Sequence, residues 1–107
     1  MKSLIDKALE ETGLDFFYLK RPRSVFPCIV YSYNELPNAS GDNIDESSRY
    51  DIFLNLIIKS NLTETTEKIK ELMRKHKFIK IAINPPVMFE GLDYYQITMQ
   101  YVKIKSI

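Results

Sequence analysis

Two segments rich in aromatic and β-branched residues flank a long polar loop. They are Cys28-Ile29-Val30-Tyr31-Ser32-Tyr33 and Tyr50-Asp51-Ile52-Phe53-Leu54-Asn55-Leu56-Ile57-Ile58. Both compositions suit a pleated surface, so both predict strands. The loop begins Pro37-Asn38-Ala39-Ser40-Gly41-Asp42-Asn43 and is far longer than a tight hairpin requires. Loops of that length in a compact domain are functional or disordered.

Side chains alternate across a strand, so residue parity assigns faces. In the first segment Ile29, Tyr31 and Tyr33 share one face, and Val30 and Ser32 the other. In the second, Tyr50, Ile52, Leu54, Leu56 and Ile58 point one way, while Asp51, Asn55 and Lys59 point the other with Phe53 and Ile57 among them. That second face is too apolar for free exposure. Either another layer covers it or a partner subunit does.

The remaining elements follow from periodicity and punctuation. Leu4, Ile5, Ala8 and Leu9 recur at helical spacing opposite Lys7, Glu10 and Glu11, predicting a short amphipathic helix from about Leu4 to Thr12. Ser3 and Asp6 have the spacing of a capping box, and Gly13 stands where a left-handed residue ends the helix. Phe16 to Leu19 is a short strand followed by the basic, proline-containing stretch Lys20 to Ser24. Asn61 with Glu64 offers a second capping box, with Thr63 or Thr66 as other caps. The helix that follows buries Ile69, Leu72, Met73 and His76 and ends near Lys75. Phe78 to Ile83 is a fourth strand stopped by Pro85-Pro86. From Tyr94 to Ile104, Tyr95, Ile97, Met99 and Tyr101 alternate with Gln96, Thr98 and Gln100, the pattern of an antiparallel strand with one wet face.

The expected fold is α+β: a mostly antiparallel sheet of four to five strands, in the order α-β-β-β-α-β-β. Two helices cannot cover both faces of such a sheet, so both are expected on one face. All 107 residues fit a single domain, large enough for a core without metal or disulfide staples.

A formal net charge of +1 gives no bulk electrostatic attraction to nucleic acid or an anionic membrane. The clusters Lys20-Arg21-Pro22-Arg23 and Arg74-Lys75-His76-Lys77 lack glycine-rich or aromatic-interleaved company. They read as a solvated loop and a helix C-terminus, so no specific nucleic-acid binding is expected. Cys28 is the only cysteine, which excludes an intrachain disulfide and fits intracellular folding. The start, Met1-Lys2-Ser3-Leu4-Ile5-Asp6, lacks the apolar core of a signal peptide, and no apolar run approaches the roughly 20 residues of a membrane helix.

The chain offers no catalytic kit. A nucleophile needs a base, and the base a third group to orient it. His76, the only histidine, lies at a helix end, and one Cys with one His cannot complete a zinc site. Asp42, Asn43, Asp45 and Glu46 lack the ligand register of an EF-hand and read as a solvated turn. No catalytic residue, metal site or cofactor is expected.

Taken in order, these segments resemble the small tail-completion proteins of long-tailed bacteriophages and prophages, also called tail-terminator or head–tail joining proteins. The resemblance runs through the first helix ending in Thr12-Gly13-Leu14, the segment Phe26-Pro27-Cys28-Ile29-Val30-Tyr31, and Gly41-Asp42-Asn43 ahead of Tyr50-Asp51-Ile52-Phe53-Leu54. It continues through the charged helix Glu64 to His76 and closes on Tyr94-Tyr95-Gln96-Ile97-Thr98-Met99. It implies a sheet with helices against it, a ring of identical subunits at the head-proximal end of the tail, and no catalytic residues. Its implied partners are other copies of itself, the tail-tube protein and the head connector, without a membrane. Its implied location is the virion, reached from the host cytoplasm. The expected interface residues are Phe53 and Ile57 on the strand and Asp42, Asn43, Ile44 and Asp45 in the loop. A small cytoplasmic protein-binding or regulatory module, monomeric or dimeric, is the alternative from another class.

Overall fold

The structure, a computed structural model, describes residues 1–20, 27–37, 47–88 and 93–106. Eight elements follow in order: α1 (Lys2–Glu10), β1 (Asp15–Tyr18), β2 (Cys28–Pro37), β3 (Ser47–Ile58), α2 (Leu62–Lys75), β4 (Ile79–Ile83), β5 (Val87–Met88) and β6 (Tyr95–Ser106). They form one sheet in the order β1-β2-β3-β6-β4, with β5 paired to β6 beside β4.

The α+β class holds, with two helices, but the sheet has six strands and is mixed rather than four to five and antiparallel. β1 pairs with β2 in parallel, Asp15 opposite Cys28 and Tyr18 opposite Tyr31. Every other pairing is antiparallel. The extra strand, β5, lies just past Pro85-Pro86, where its Val87 and Met88 pair with Gln96 and Tyr95. The proline pair ends β4 as expected, and the chain then rejoins the same edge.

Parity places the faces as read from sequence. Ile29, Tyr31, Ile52, Leu54, Leu56, Ile58, Ile97, Met99 and Tyr101 form one core cluster with Ile5, Ala8 and Leu9 of α1 and Ile69 and Met73 of α2. Both helices therefore cover the same face. Removing each of these side chains from water contributes about 1.5–3 kcal/mol, so this layer is the main source of stability.

The helix ends are built differently from the expected capping boxes. α1 begins at Lys2, and the Met1 carbonyl accepts from the Leu4 and Ile5 amides. Asp6 does not turn back to Ser3. Its carboxylate takes the Lys2 ammonium at 3.0 Å and the Tyr31 hydroxyl at 2.5 Å, tying the helix to β2. Thr12 closes α1: its hydroxyl donates to the Leu9 carbonyl at 2.6 Å and accepts from the Leu14 amide at 3.1 Å. Gly13 follows at φ 76°, a left-handed geometry that a residue without Cβ adopts at little cost. At the other helix Asn61 is the N-cap, left-handed itself and without a side-chain cap bond.

α2 ends in a Schellman arrangement. The Phe78 amide reaches the Met73 carbonyl, the Lys77 amide reaches Arg74, and Lys77 takes the left-handed position at φ 69°. Phe78 and Met73 are both buried, giving the apolar contact that usually accompanies this cap. The Lys103 ammonium donates to the His76 carbonyl at 2.9 Å and sits over the Phe78 ring at 4.9 Å. Burial, helped by the Lys77 charge, pushes that ammonium below its usual range.

Strand lengths give the molecule its shape. β3 and β6 pair along their whole length, Ser47 with Ser106 through Ile58 with Tyr95, whereas β1 spans four residues and β4 five. The molecule measures 52 × 25 × 23 Å. β2 and β3 also extend further into the expected loop: Leu36 pairs with Arg49 and Pro37 with Ser48.

Candidate functional site

Among the described residues, the second face of the sheet carries no helix. Phe53 stands there half-buried, between Ser32 on β2 and Gln100 on β6. Ile57 lies on the same face between Cys28 and Gln96, and its neighbours leave it 7% exposed. Cys28 and Val102 are likewise buried on this side, outside the helix-covered cluster. Asp42, Asn43, Ile44 and Asp45 lie outside the described residues.

A polar network occupies the middle of this face. The Asn55 side-chain oxygen accepts from the Thr98 hydroxyl at 2.9 Å and from the Gln96 amide at 3.2 Å, while its own amide reaches the Val30 carbonyl at 3.4 Å. Three strands are thereby stitched together by one side chain. Around it lie the half-buried Phe17, Val30 and Phe53, so polar groups already paired with one another alternate with apolar ones. A patch of this kind loses little on desolvation, because its amides do not need water as a partner.

Where β1, β2 and β3 meet on the helix-covered side, tyrosines form a ladder. The Tyr18 ring lies 5.4 Å from Tyr31 and 5.6 Å from Tyr33, and Tyr33 lies 6.1 Å from Tyr50. Tyr31 is buried, whereas Tyr18 is 38% exposed at the sheet's edge. Rigid rings with one polar end are favoured where a surface meets another protein.

Two further clusters have defined chemistry. A cleft of about 270 Å³ between α2, β4 and β6 is lined by Glu67, Lys70, Arg74, Phe78, Lys80 and Tyr101. Ion pairs Lys70–Glu67 at 2.9 Å and Arg74–Glu71 at 3.6 Å span its rim. Among the described residues the buried Tyr101 hydroxyl finds no hydrogen-bond partner, and burial together with the Glu67 charge pushes its pKa up to about 12. Such a phenol stays neutral at ordinary pH and is a poor proton-transfer group.

His76 caps α2, half-buried, with its Nε2 against a Glu11 carboxylate oxygen. Lys75 reaches the other oxygen at 2.8 Å. Hydrogen bonds from Lys75 and then His76 hold the Glu11 carboxyl below its usual range. This exposed latch joins the ends of the two helices. Its histidine is engaged by a carboxylate on one side, and its backbone carbonyl by Lys103 on the other. Among the described residues no group of three His, Cys, Asp or Glu side chains gathers as a metal site. No described helix is long and apolar enough to cross a membrane.

Comparison of the chain with protein-family models and with curated proteins found no match in either.

Sequence reasoning identified Phe53 and Ile57 as sharing the uncovered face, and residue parity was the signal. It missed the Asn55 network, although Asn55, Gln96 and Thr98 all carry the outward parity. It read Phe78 to Ile83 as a strand but missed that Ile79 and Ile81 stand 55% and 49% exposed in β4. The run Ile79-Lys80-Ile81-Ala82-Ile83, with isoleucine at every second position, was the available sign.

Proposed function

We propose that the chain is a structural subunit of a long-tailed phage or prophage particle. Copies of it form a ring that completes the tail tube and joins it to the head connector. The observation that carries this reading is the sheet face that no described helix covers, where Phe53 stands half-buried beside an internally satisfied Asn55–Thr98–Gln96 network. In the ring that face is buried against a particle component. The order of the sequence segments, which resembles tail-completion proteins, supplies the identity of that component. The subunit works without catalysis: it folds in the host cytoplasm and acts by filling a place in the virion.

A ring closes when one patch on each copy meets a different patch on the next. At a standard interface each contact buries about 800 Å² per partner. The test is to mix the purified chain with tail-tube protein and image the tubes by electron microscopy. The expected result is one ring at one end of each tube and an end to elongation. Tubes that lengthen unchanged, with the chain remaining in the supernatant as a monomer or dimer, would favour the regulatory-module reading instead.

A further inference from the structure

Eight large apolar side chains stand exposed among the described residues, and six of them lie on the two lateral edges of the sheet. Ile79, Ile81, Val87 and Met88 mark the β4–β5 edge, and Tyr18 and Leu19 mark the β1 edge. Neither edge has a strand paired to its outer side among the described residues. Two exposed apolar strips at opposite ends of one sheet are unusual for a chain that works alone.

The two strips match in height. Following the pairings across the sheet, Tyr18 is level with Tyr31, Leu54, Met99 and Ile83. Asp15 is likewise level with Cys28, Ile57, Gln96 and Val87. β1 therefore stands at the height of the Ile83–Val87 stretch on the far edge. The two also match in chemistry. Ile81-Ala82-Ile83-Asn84-Pro85-Pro86-Val87-Met88 contains no charged residue, nor does Phe16-Phe17-Tyr18-Leu19. Depletion of charge is the compositional mark of an interface core.

We propose that the β1 edge of one copy packs head to tail against the Ile81–Met88 segment of the next. This inference rests on the ring reading above and names the surfaces that would close it. Pro85 and Pro86 have no amide hydrogen to give, so a continuous strand ladder is blocked. Contact is made by side chains instead, with proline and aliphatic groups against the Tyr18 ring. A neighbour turned about an axis along the strands keeps its helices on the same side, and its β1 then faces β4 in the opposite direction. Twofold pairing of β4 with β4 would leave the Tyr18–Leu19 edge bare. Head-to-tail packing covers both edges with one kind of contact.

Cysteine trapping tests this directly. Leu19→Cys and Ile81→Cys place thiols at exposed positions on opposite edges, while the native Cys28 is fully buried. Each variant is first checked for an unchanged thermal transition, then exposed to a short bis-maleimide alone and in the presence of tail tubes. Neither single variant should link to itself. Their mixture should give one covalent dimer, and the double variant a ladder of multimers. Self-linking of either single variant at the yield of the mixture, or no linking in the mixture under both conditions, overturns the proposal. A ladder from a protein that never binds tubes keeps this contact and removes the tail role. Tube capping without linking does the reverse.

Discussion

The two faces of one sheet have the same strands behind them and opposite fates. On the helix-covered face, Ile52, Leu54 and Leu56 of β3 are fully buried among α1, α2 and their strand neighbours. One residue along, Phe53 and Asn55 point to a face that neither described helix covers, where a paired amide network sits amid half-buried apolar side chains. The first face gives the protein its stability. The second holds apolar surface that no described helix covers, and we propose that it serves assembly. On this proposal β3 serves folding with its even-numbered positions and recognition with its odd ones.

The largest expected effects separate these faces. Leu54→Ala leaves a cavity in the core and should cost about 2–5 kcal/mol of stability, read as a lowered denaturant midpoint. Phe53→Asp, its immediate neighbour, should keep a cooperative thermal transition within about 1 kcal/mol of wild type. It should nevertheless weaken association with tail tubes roughly 30-fold or more, the effect of losing an aromatic hot spot. A collapsed transition in Phe53→Asp would move that residue into the core.

An intermediate effect is expected at Asn55. Asn55→Ala removes the acceptor for Thr98 and Gln96 and should cost about 1–2 kcal/mol. Thr98→Val removes one of the two donors and should cost less. A loss in Thr98→Val as large as that in Asn55→Ala would mean the network does not act through Asn55.

Alkaline pH should act on the covered face alone. Tyr101 has its pKa raised to about 12, and Tyr31 is raised too by burial and its bond to Asp6. The folded state therefore keeps protons that the unfolded chain gives up near the ordinary tyrosine value of about 10. Stability is full below that pH and falls as pH climbs toward the folded values. Tyr101→Phe should reduce the slope of stability against pH in this range, measured by urea titrations at successive pH values. An unchanged slope would place that proton uptake elsewhere.

The smallest effect is expected at the helix latch. His76→Gln leaves the exposed Lys75–Glu11 pair in place, and exposed pairs contribute little. Stability and infectivity should stay close to wild type. A severe infectivity defect in a variant that still folds and assembles would revive a catalytic role for the histidine.

Most of the fold was legible because its longest elements repeat a clear period. The alternation of Tyr95, Ile97, Met99 and Tyr101 with glutamine and threonine assigns β6 to its two faces, and Leu4, Ile5, Ala8 and Leu9 mark α1. The parallel pairing of β1 was not legible, since a four-residue strand carries no local record of its neighbour's direction. β5 is shorter than any periodicity can register. The first capping box failed for a tertiary reason: Asp6, well placed to cap, is held by Tyr31 from another element. Parity brought Phe53 and Ile57 to the uncovered face but did not foresee that neighbours on that face bury Ile57 more deeply than Phe53. The edge strips formed by Leu19, Ile81 and Val87 appear only once strand order is known, because they are separated in sequence and defined by being last in the sheet.

Hydroxyl-radical footprinting of the chain, free and assembled with tail tubes, tests the division between the faces most directly. Phe53 and Val30 report the uncovered face, and the half-buried Leu62 and Leu72 report α2 on the opposite side. The account predicts that Phe53 and Val30 lose reactivity on assembly while Leu62 and Leu72 keep theirs. Protection of Leu62 and Leu72 with Phe53 unchanged would contradict it and make the helical layer the working surface.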